Sequence, residues 1–451
     1  MNQEAIDILS LDAEGRGVGH LVNPDKTPGK VIFVEGALPG ERVHFTLLRR
    51  KKNWETARMT VLLRPSALRV EPPCPHFGVC GGCAMQHLEP GAQVAVKQRV
   101  LEDNLWHIGR VRPVQILRPI HGPYWGYRYK ARLSVNHVPK KGGVLVGFRE
   151  RRSRFVADMK QCPVLPAHVS DMLVPLRELI GSLSVYDRIP QIELALGNSR
   201  ENGLVTAMIL RIMAPLSDED KVRLRLFADR YAIQWWLQTK GPETVTLFYP
   251  EVPALQYALP EFGVIMPFMP SDFTQVNHHI NEVLVSLALR LLQVKPGDTV
   301  LDLFCGLGNF TLPLATRAAK VVGMEGSPAL VERAKAAARL NGLEEKTAFF
   351  VKDLFKMNEK DWVQAGKFDS VLIDPPRDGA QAICQTIAGL EGLHVKYRPG
   401  RILYVSCNPS TLARDAGILV GQGGYVLSQA GVINMFPHTA HVESIAVFDL
   451  L

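Results

Sequence analysis

Three groups of side chains in this sequence have types and spacings suited to chemistry. Cys407 lies in Ser-Cys-Asn-Pro, residues 406–409, directly after an apolar run at 401–405 that reads as a buried strand. A lone cysteine is ordinarily packing. One delivered by a strand end to a ligand crevice, ahead of an Asn-Pro turn, is a candidate nucleophile. Glu443 stands just before the last apolar strand, 445–450, where it reads either as a solvated acid or as a base. The third group is Cys74, Cys80 and Cys83, with Cys162 far downstream. C-x5-C-x2-C lets three thiolates converge, and Gly81 and Gly82 allow the tight bend. Four cysteines suit tetrahedral zinc or a four-iron cluster. The proline after both Cys74 and Cys162, and a spacing wider than paired C-x2-C, favour iron–sulfur.

A crevice for a nucleotide-bearing ligand is written at 299–310. Residues 300–304 form an apolar strand, Cys305-Gly-Leu-Gly308 a tight turn, and 311–320 a helix-like segment. The third glycine of a dinucleotide fingerprint is missing. A second strand, 320–324, ends in Glu325, about twenty residues beyond the glycines and placed to hold ribose hydroxyls. A third, 348–352, ends at Asp353, placed for an adenine edge. A fourth, 368–373, ends in Asp374-Pro-Pro-Arg377. This set resembles the class I S-adenosylmethionine-dependent methyltransferase pattern.

The elements that position these groups fall into three stretches. Residues 1–64 hold short alternating strands at 5–9, 18–21, 30–34, 42–48 and 57–63, punctuated by glycine and proline, which predicts a small closed barrel. Gly15-Arg-Gly-Val-Gly19 and Pro39-Gly-Glu-Arg-Val43 resemble the TRAM domain, an OB-like barrel of RNA-modifying enzymes. Residues 65–268 begin with a linker-like stretch at 65–73 and read as an α+β module. Strands are expected at 192–196, 204–212, 233–238 and 245–248, with a helix at 217–231. Residues 93–110 read as an amphipathic helix with Val96, Val100, Leu101 and Leu105 on one stripe and Lys97 off it. Residues 269–451 carry the crevice. A helix is expected to open near 268–277 and run to about 292, with Asp272 or Thr274 as its cap. Cys384 reads as core.

The chain has 451 residues, 47% of them hydrophobic, enough for several cored domains. Its net charge of +8 suggests a polyanionic partner. Arg49-Arg-Lys-Lys-Asn-Trp54, the aromatic–cation run 124–132, and Arg149, Arg151, Arg152, Arg154 and Lys160 could grip phosphates and stack unpaired bases. No apolar run reaches bilayer length and residues 1–10 do not read as a secretory signal, so a cytoplasmic protein is expected.

Together the motifs resemble the RNA uracil-5-methyltransferases, in the TRAM and iron–sulfur branch that makes 5-methyluridine in 23S ribosomal RNA. The matches are Cys74, Cys80-Gly-Gly-Cys83 and Cys162; Asp272-Phe-Thr-Gln-Val-Asn277; Asp302-Leu-Phe-Cys-Gly-Leu-Gly-Asn309; Asp374-Pro-Pro-Arg377; Ser406-Cys-Asn-Pro409; and His441-Val-Glu443. The resemblance implies a multidomain α/β protein: an OB-like barrel, a central α+β domain holding a 4Fe-4S cluster on the four cysteines, and a Rossmann-like methyltransferase domain. It implies that Gln275, Phe304, Asn309, Glu325, Asp353 and Asp374 bind S-adenosylmethionine, that Cys407 is the nucleophile and Glu443 the base. It also implies that 93–120 packs on the catalytic domain. A cluster on these cysteines would act as a staple, tying 74–83 against Cys162 and presenting the basic strands.

The chemistry explains the demand for such a set. Carbon 5 of uracil is a poor nucleophile until a thiolate adds to carbon 6; a base must then take the carbon 5 proton before the thiol can leave. A free thiol is only a few per cent ionised near neutrality, so local positive potential is expected at Cys407. The expected partner is 23S rRNA, with no membrane and the protein as a monomer. A tRNA address for the same chemistry is the alternative. Intact Cys407, Glu443 and donor-site acids speak against a non-catalytic RNA-binding protein.

Overall fold

The computed structural model describes residues 5–22, 27–199, 203–251 and 255–451. Its first six strands form one sheet. Ala5–Asp7 pairs with Arg42–Arg50, while Ser10–Leu11 pairs with Gly17–Val22. One continuous segment therefore bonds to both ends of the sheet and closes it around Ile6, Ile8, Ile32, Val34 and Val43. Among the described residues this leaves no strand edge unpaired. Gly19 permits it, since a β-carbon there would stand 2.7 Å from the Asp7 carbonyl oxygen. Of the expected 49–54 patch, the four cations are exposed, but Trp54 packs edge-on to Phe33 at 6.0 Å and is not a free stacking face.

The second sheet has eight strands, all antiparallel except the pair Gly203–Arg211 and Ile233–Gln238. The helix Asp218–Tyr231 makes that parallel crossover. Ser217 caps it and Asp220 reaches back to the cap, a reciprocal capping box. The aromatics of 124–129 turn inward here. The Tyr127 hydroxyl donates to the Pro437 carbonyl at 2.9 Å, Trp125 stacks 3.9 Å from His438, and Tyr129 packs on His278. They are spent on packing, and the expected base-stacking run reduces to one exposed arginine, Arg132.

The third sheet runs in the order Thr347–Val351, Lys320–Glu325, Thr299–Leu303, Ser370–Ile373, Arg401–Ser406, Glu443–Leu450, Tyr425–Ile433, Gln115–Ile116. The first five strands are parallel and Glu443–Leu450 is antiparallel. The chain enters at Thr299–Leu303, works outward one way, then crosses back to Ser370–Ile373. Ligands of such sheets bind where that order reverses, beyond the carboxyl ends of the strands. The helix expected over 311–320 is only Thr311–Ala315. The amides of Ala319 and Lys320 already bond to the Asp298 carbonyl, because Lys320 must pair with Thr299.

The segment 90–120 is built into this sheet's layer. The helix Pro90–Asn104 runs into a π-turn, Leu105–Gly109, that crosses the helix Pro409–Gly421. A β-carbon on Gly417 would stand 2.9 Å from the Gly109 carbonyl oxygen, so only glycine allows this approach. Leu101 and Leu105 join the core around Ile402 and Ala416, a burial of about 1.5–3 kcal/mol each. Lys97 is not on the wet face: it is 1% exposed. The central and catalytic layers also share core, with Tyr257, Met266 and Phe268 packed among Ile280, Leu284 and Phe310.

Candidate active site

Strand pairing sets the site. Ser406 lies opposite Ser444, so the next residues outward, Cys407 and Glu443, face each other across the ends of two antiparallel strands. Asp374 ends the neighbouring parallel strand, and its amide donates to the Leu303 carbonyl at 3.2 Å, tying the Asp-Pro-Pro-Arg turn to the glycine turn. Asn408 fixes the other side. Its Oδ1 accepts the Ser410 amide at 3.1 Å and caps the helix Pro409–Gly421, while its Nδ2 donates to the Arg377 carbonyl at 3.0 Å. Cys407 thus precedes a helix N-terminus, with Arg377 nearby.

The electrostatics are not those expected at Cys407. Burial, then Glu443 and Asp374, push its thiol up to about 11, against the pull of Arg377. Glu443 is pushed up to about 8 by burial and by Asp374, with Lys97 and Arg377 opposing. Asp374 rises to about 7 through burial. Burial is the first cause of all three rises. A positively charged ligand in the crevice would lower all three.

The other expected ligand-binding residues divide by what holds them. Phe304 adopts φ 63°, a backbone strain of about 1–2 kcal/mol for a residue with a β-carbon, and its ring meets Phe355 at 5.6 Å. Both Glu325 oxygens are oriented by backbone, accepting Gly306 N at 3.2 Å and Ser327 N at 2.9 Å. Gln275 is half-buried and makes no hydrogen bond among the described residues. Asn309 is committed to protein partners: its amide exchanges two 3.0 Å bonds with Asn281 and accepts Tyr257 OH at 2.9 Å. Asp353 is exposed, accepts the Phe355 amide at 3.2 Å, and is held below the usual carboxylate range by Lys356. Asn277 caps the helix His278–Leu292, with Oδ1 accepting from Ile280 N at 3.2 Å. Asp272 instead pairs with Arg333 at 2.7 Å, and Thr274 is not the cap either.

Cys74, Cys80, Cys83 and Cys162 line one cavity of about 210 Å³, together with Tyr127 and His441. All four are free thiols. Burial pushes Cys83 up to about 11 and Cys162 to about 12, and Cys80 also upward, with the neighbouring thiols adding to each rise. Among the described residues, no three His, Cys, Asp or Glu side chains are grouped to hold a single metal ion. Cys305 and Cys384 are buried in the catalytic cores, as expected for Cys384. The loop beyond Cys83 reaches the active site's rim: the Ala84 and Met85 amides both donate to the His438 carbonyl, at 2.8 and 2.9 Å.

Strand order and crevice define a doubly wound α/β domain, with a thiol and a carboxyl facing each other across two strand ends beside its switch point. Residues 263–449 match the family model described as tRNA (uracil-5-)-methyltransferase. The chain is 60% identical to the 23S rRNA (uracil(1939)-C(5))-methyltransferase RlmD of Cupriavidus metallidurans, over 99% of this chain and 95% of that one. It is 61% identical to the protein of the same name from Cupriavidus pinatubonensis, over 98% and 95%. The crystal structure of Pyrococcus abyssi tRNA (uracil-54, C5)-methyltransferase with S-adenosyl-L-homocysteine superposes with a TM-score of 0.72 at 24% identity, over 99% of this chain and 100% of that one, and so shares the fold. The chain belongs to the RNA uracil-C5-methyltransferase family, with the RlmD proteins as its curated relatives.

Proposed function

We propose that this protein transfers the methyl group of S-adenosylmethionine to carbon 5 of uridine 1939 in 23S rRNA, the reaction named for its relatives. The observation that carries the reading is Cys407 facing Glu443 across two strand ends, beside the crevice. Cys407 adds as thiolate to carbon 6, carbon 5 takes the methyl from the sulfonium, and Glu443 removes the carbon 5 proton. The carbon–sulfur bond then breaks, giving 5-methyluridine, S-adenosylhomocysteine and one proton.

The donor fits the charges: a sulfonium offsets Asp374 and lowers the Cys407 thiol, so donor binding precedes activation of the nucleophile. Glu325 is pre-oriented for the ribose, Phe304 for the adenine, Gln275 is free to bond, and the charge of Asp374 acts on the reacting thiol. Asn309 contributes by shaping the turn. Asp353 is assigned to the adenine edge, for which its Lys356 pair must open.

For RNA, a groove of about 830 Å³ runs between the barrel and the central sheet to His441, lined by Arg16, Arg132, Arg149, Arg151 and Arg152. Such a groove tracks a phosphate backbone. We assign 1–64 to a TRAM-like barrel, 65–268 to the central RNA-binding domain and 269–451 to the methyltransferase domain, acting as a cytoplasmic monomer. No helix among the described residues is long and apolar enough to cross a membrane.

The cysteine cavity fits a 4Fe-4S cluster held by Cys74, Cys80, Cys83 and Cys162. The four thiols line one cavity, four cysteines are the ligand set of such a cluster, and burial that disfavours their thiolates would be offset by a cationic centre. When bound, the cluster supplies a covalent staple between 74–83 and 162. An anaerobic preparation is expected to be brown and to contain iron and acid-labile sulfide at about four each per chain; stoichiometric zinc would defeat this assignment.

The substrate is tested with labelled donor and unmodified RNAs. Incorporation is expected into 23S rRNA at uridine 1939, mapped by mass spectrometry. Incorporation into tRNA alone would reassign the substrate, and incorporation into neither would overturn the enzymatic reading.

A further inference from the structure

The stretch Arg149-Glu-Arg-Arg-Ser-Arg-Phe155 puts four guanidiniums and one aromatic ring on a single hairpin. Its backbone is fixed from both sides. The Gly81 amide donates to the Arg149 carbonyl at 2.8 Å and the Arg151 amide to the Val79 carbonyl at 2.9 Å, tying one side to the loop of Cys80 and Cys83. Across the turn, the Glu150 amide donates to the Phe155 carbonyl and the Ala157 amide to the Phe148 carbonyl, both at 2.9 Å. The Phe155 amide donates to Ser153 Oγ at 3.0 Å. The backbone under the ring is therefore set before any ligand arrives. The charges beside it are not balanced. Glu150 pairs with Lys141 at 3.4 Å, and Arg152 pairs with Glu35 of the barrel. Arg149, Arg151 and Arg154 have no carboxylate partner among the described residues. Guanidiniums so close together repel one another, and a polyanion relieves that repulsion.

The ring is unspent as well. Phe155 is 58% exposed, and among the described residues no other ring or cation stacks on it. Aromatics elsewhere in the N-terminal half are consumed: Trp54 by Phe33, Trp125 by His438, Tyr129 by His278. The other described rings more than half exposed, Phe273, Phe350 and Phe355, all lie in 269–451. Arg149, Glu150, Arg151 and Arg152 line the groove that runs to His441, so the hairpin carrying Phe155 is one wall of that groove. We propose that the Phe155 ring is a stacking face for an unpaired base of the substrate RNA, away from the target uridine, with Arg149, Arg151 and Arg154 holding the phosphates around it. This rests on the RNA methyltransferase reading above. A uridine methylated at carbon 5 has to leave its stack, so the RNA around it is locally opened. A flat ring in a cationic setting takes any base whose face is free, whereas a paired duplex offers it none.

The test measures binding of three RNAs by the full-length protein: a 23S rRNA fragment spanning uridine 1939, an unstructured oligonucleotide, and a duplex of the same length. In Phe155→Ala the affinity for the fragment and the oligonucleotide is expected to fall roughly 5- to 100-fold, the range for one lost base–aromatic stack, while that for the duplex stays. Phe155→Leu keeps apolar bulk without a flat face and is expected to fall as far. Phe155→Trp keeps the affinity, and RNA quenches its added indole fluorescence. Salt separates stacking from charge. The slope of log affinity against log salt is expected to be unchanged in Phe155→Ala and shallower by about one in Arg154→Ala. Wild-type affinity in Phe155→Ala or Phe155→Leu overturns the proposal, as does an unquenched indole in Phe155→Trp. Weaker self-association of Phe155→Ala with RNA binding intact also overturns it, and gives the ring to a second copy of the chain. A wild type that binds the 23S fragment no better than tRNA sinks the substrate reading instead, and the oligonucleotide comparison still decides what the ring does.

Discussion

Cys407→Ala abolishes methyl transfer and leaves S-adenosylmethionine binding nearly unchanged. The structural disturbance is small, because residue 407 lies between two fixed points. Ser406 is paired to Ser444, and Asn408 holds both the helix cap and the Arg377 carbonyl through its own side chain. None of these contacts uses the Cys407 sulfur. The groups proposed to bind the donor stand on other loops, at 304 and 325. The chemical effect is complete, since no other side chain at the crevice offers a sulfur to carbon 6 and carbon 5 does not attack unaided. Turnover is expected to fall by on the order of 10⁴-fold or more, at least about 5 kcal/mol of barrier. Labelled-donor incorporation measures the first quantity and calorimetric titration of donor the second. Retained turnover would exclude the covalent route. The thiol at about 11 in the ligand-free protein adds a corollary: alkylation of Cys407 is slow alone and faster once the cationic donor is bound.

Much of this site was legible because its parts sit at strand ends. Apolar runs closing on Glu325, Asp374 and Ser406 mark buried parallel strands, and the strand register then brings their ends to one edge. Local signals also placed Ile233–Gln238 and, to within one residue, the helix Asp218–Tyr231. What escaped depends on distant contacts. A helical pattern puts Lys97 on the wet face; the segment that buries it lies 337 residues away. Alternating aromatics and cations at 124–132 resemble a base-stacking platform, but Tyr127 and Trp125 are consumed by Pro437 and His438. Apolar periodicity could not show that the helix at Thr311 stops after five residues, because the stop is set by the pairing of Lys320 with Thr299. The positive potential expected at Cys407 fails for the same reason: burial first, and then Glu443, which reaches it across the sheet from 36 positions later in the sequence, outweigh Arg377.

Glu443→Gln should trap the reaction one step later, with the RNA still bonded to Cys407. Glutamine matches the shape of glutamate, keeps the start of the last strand, and removes a carboxyl whose burial is unfavourable when ionised, so the folded protein is expected to be no less stable. Addition at carbon 6 and methylation at carbon 5 do not need the base. Elimination does, because the thiol leaves only after the carbon 5 proton is gone. That step is expected to slow by roughly 10²–10⁴-fold, the usual range for a positioned base. A slow-migrating protein–RNA band should accumulate on a denaturing gel, carry label from the donor's methyl, and vanish in the double variant with Cys407→Ala. The pH dependence separates base from bystander. Glu443, raised to about 8, is protonated below that value and ionised above it, so resolution of the adduct by the wild type should quicken as pH rises through 8. The glutamine variant has nothing to titrate there, and its residual rate should be flat across the same range. A variant that forms no adduct, or whose slow resolution keeps the wild-type pH profile, would remove Glu443 from the role of base. The proton would then have to leave carbon 5 by way of Asp374, the other carboxylate that acts on Cys407.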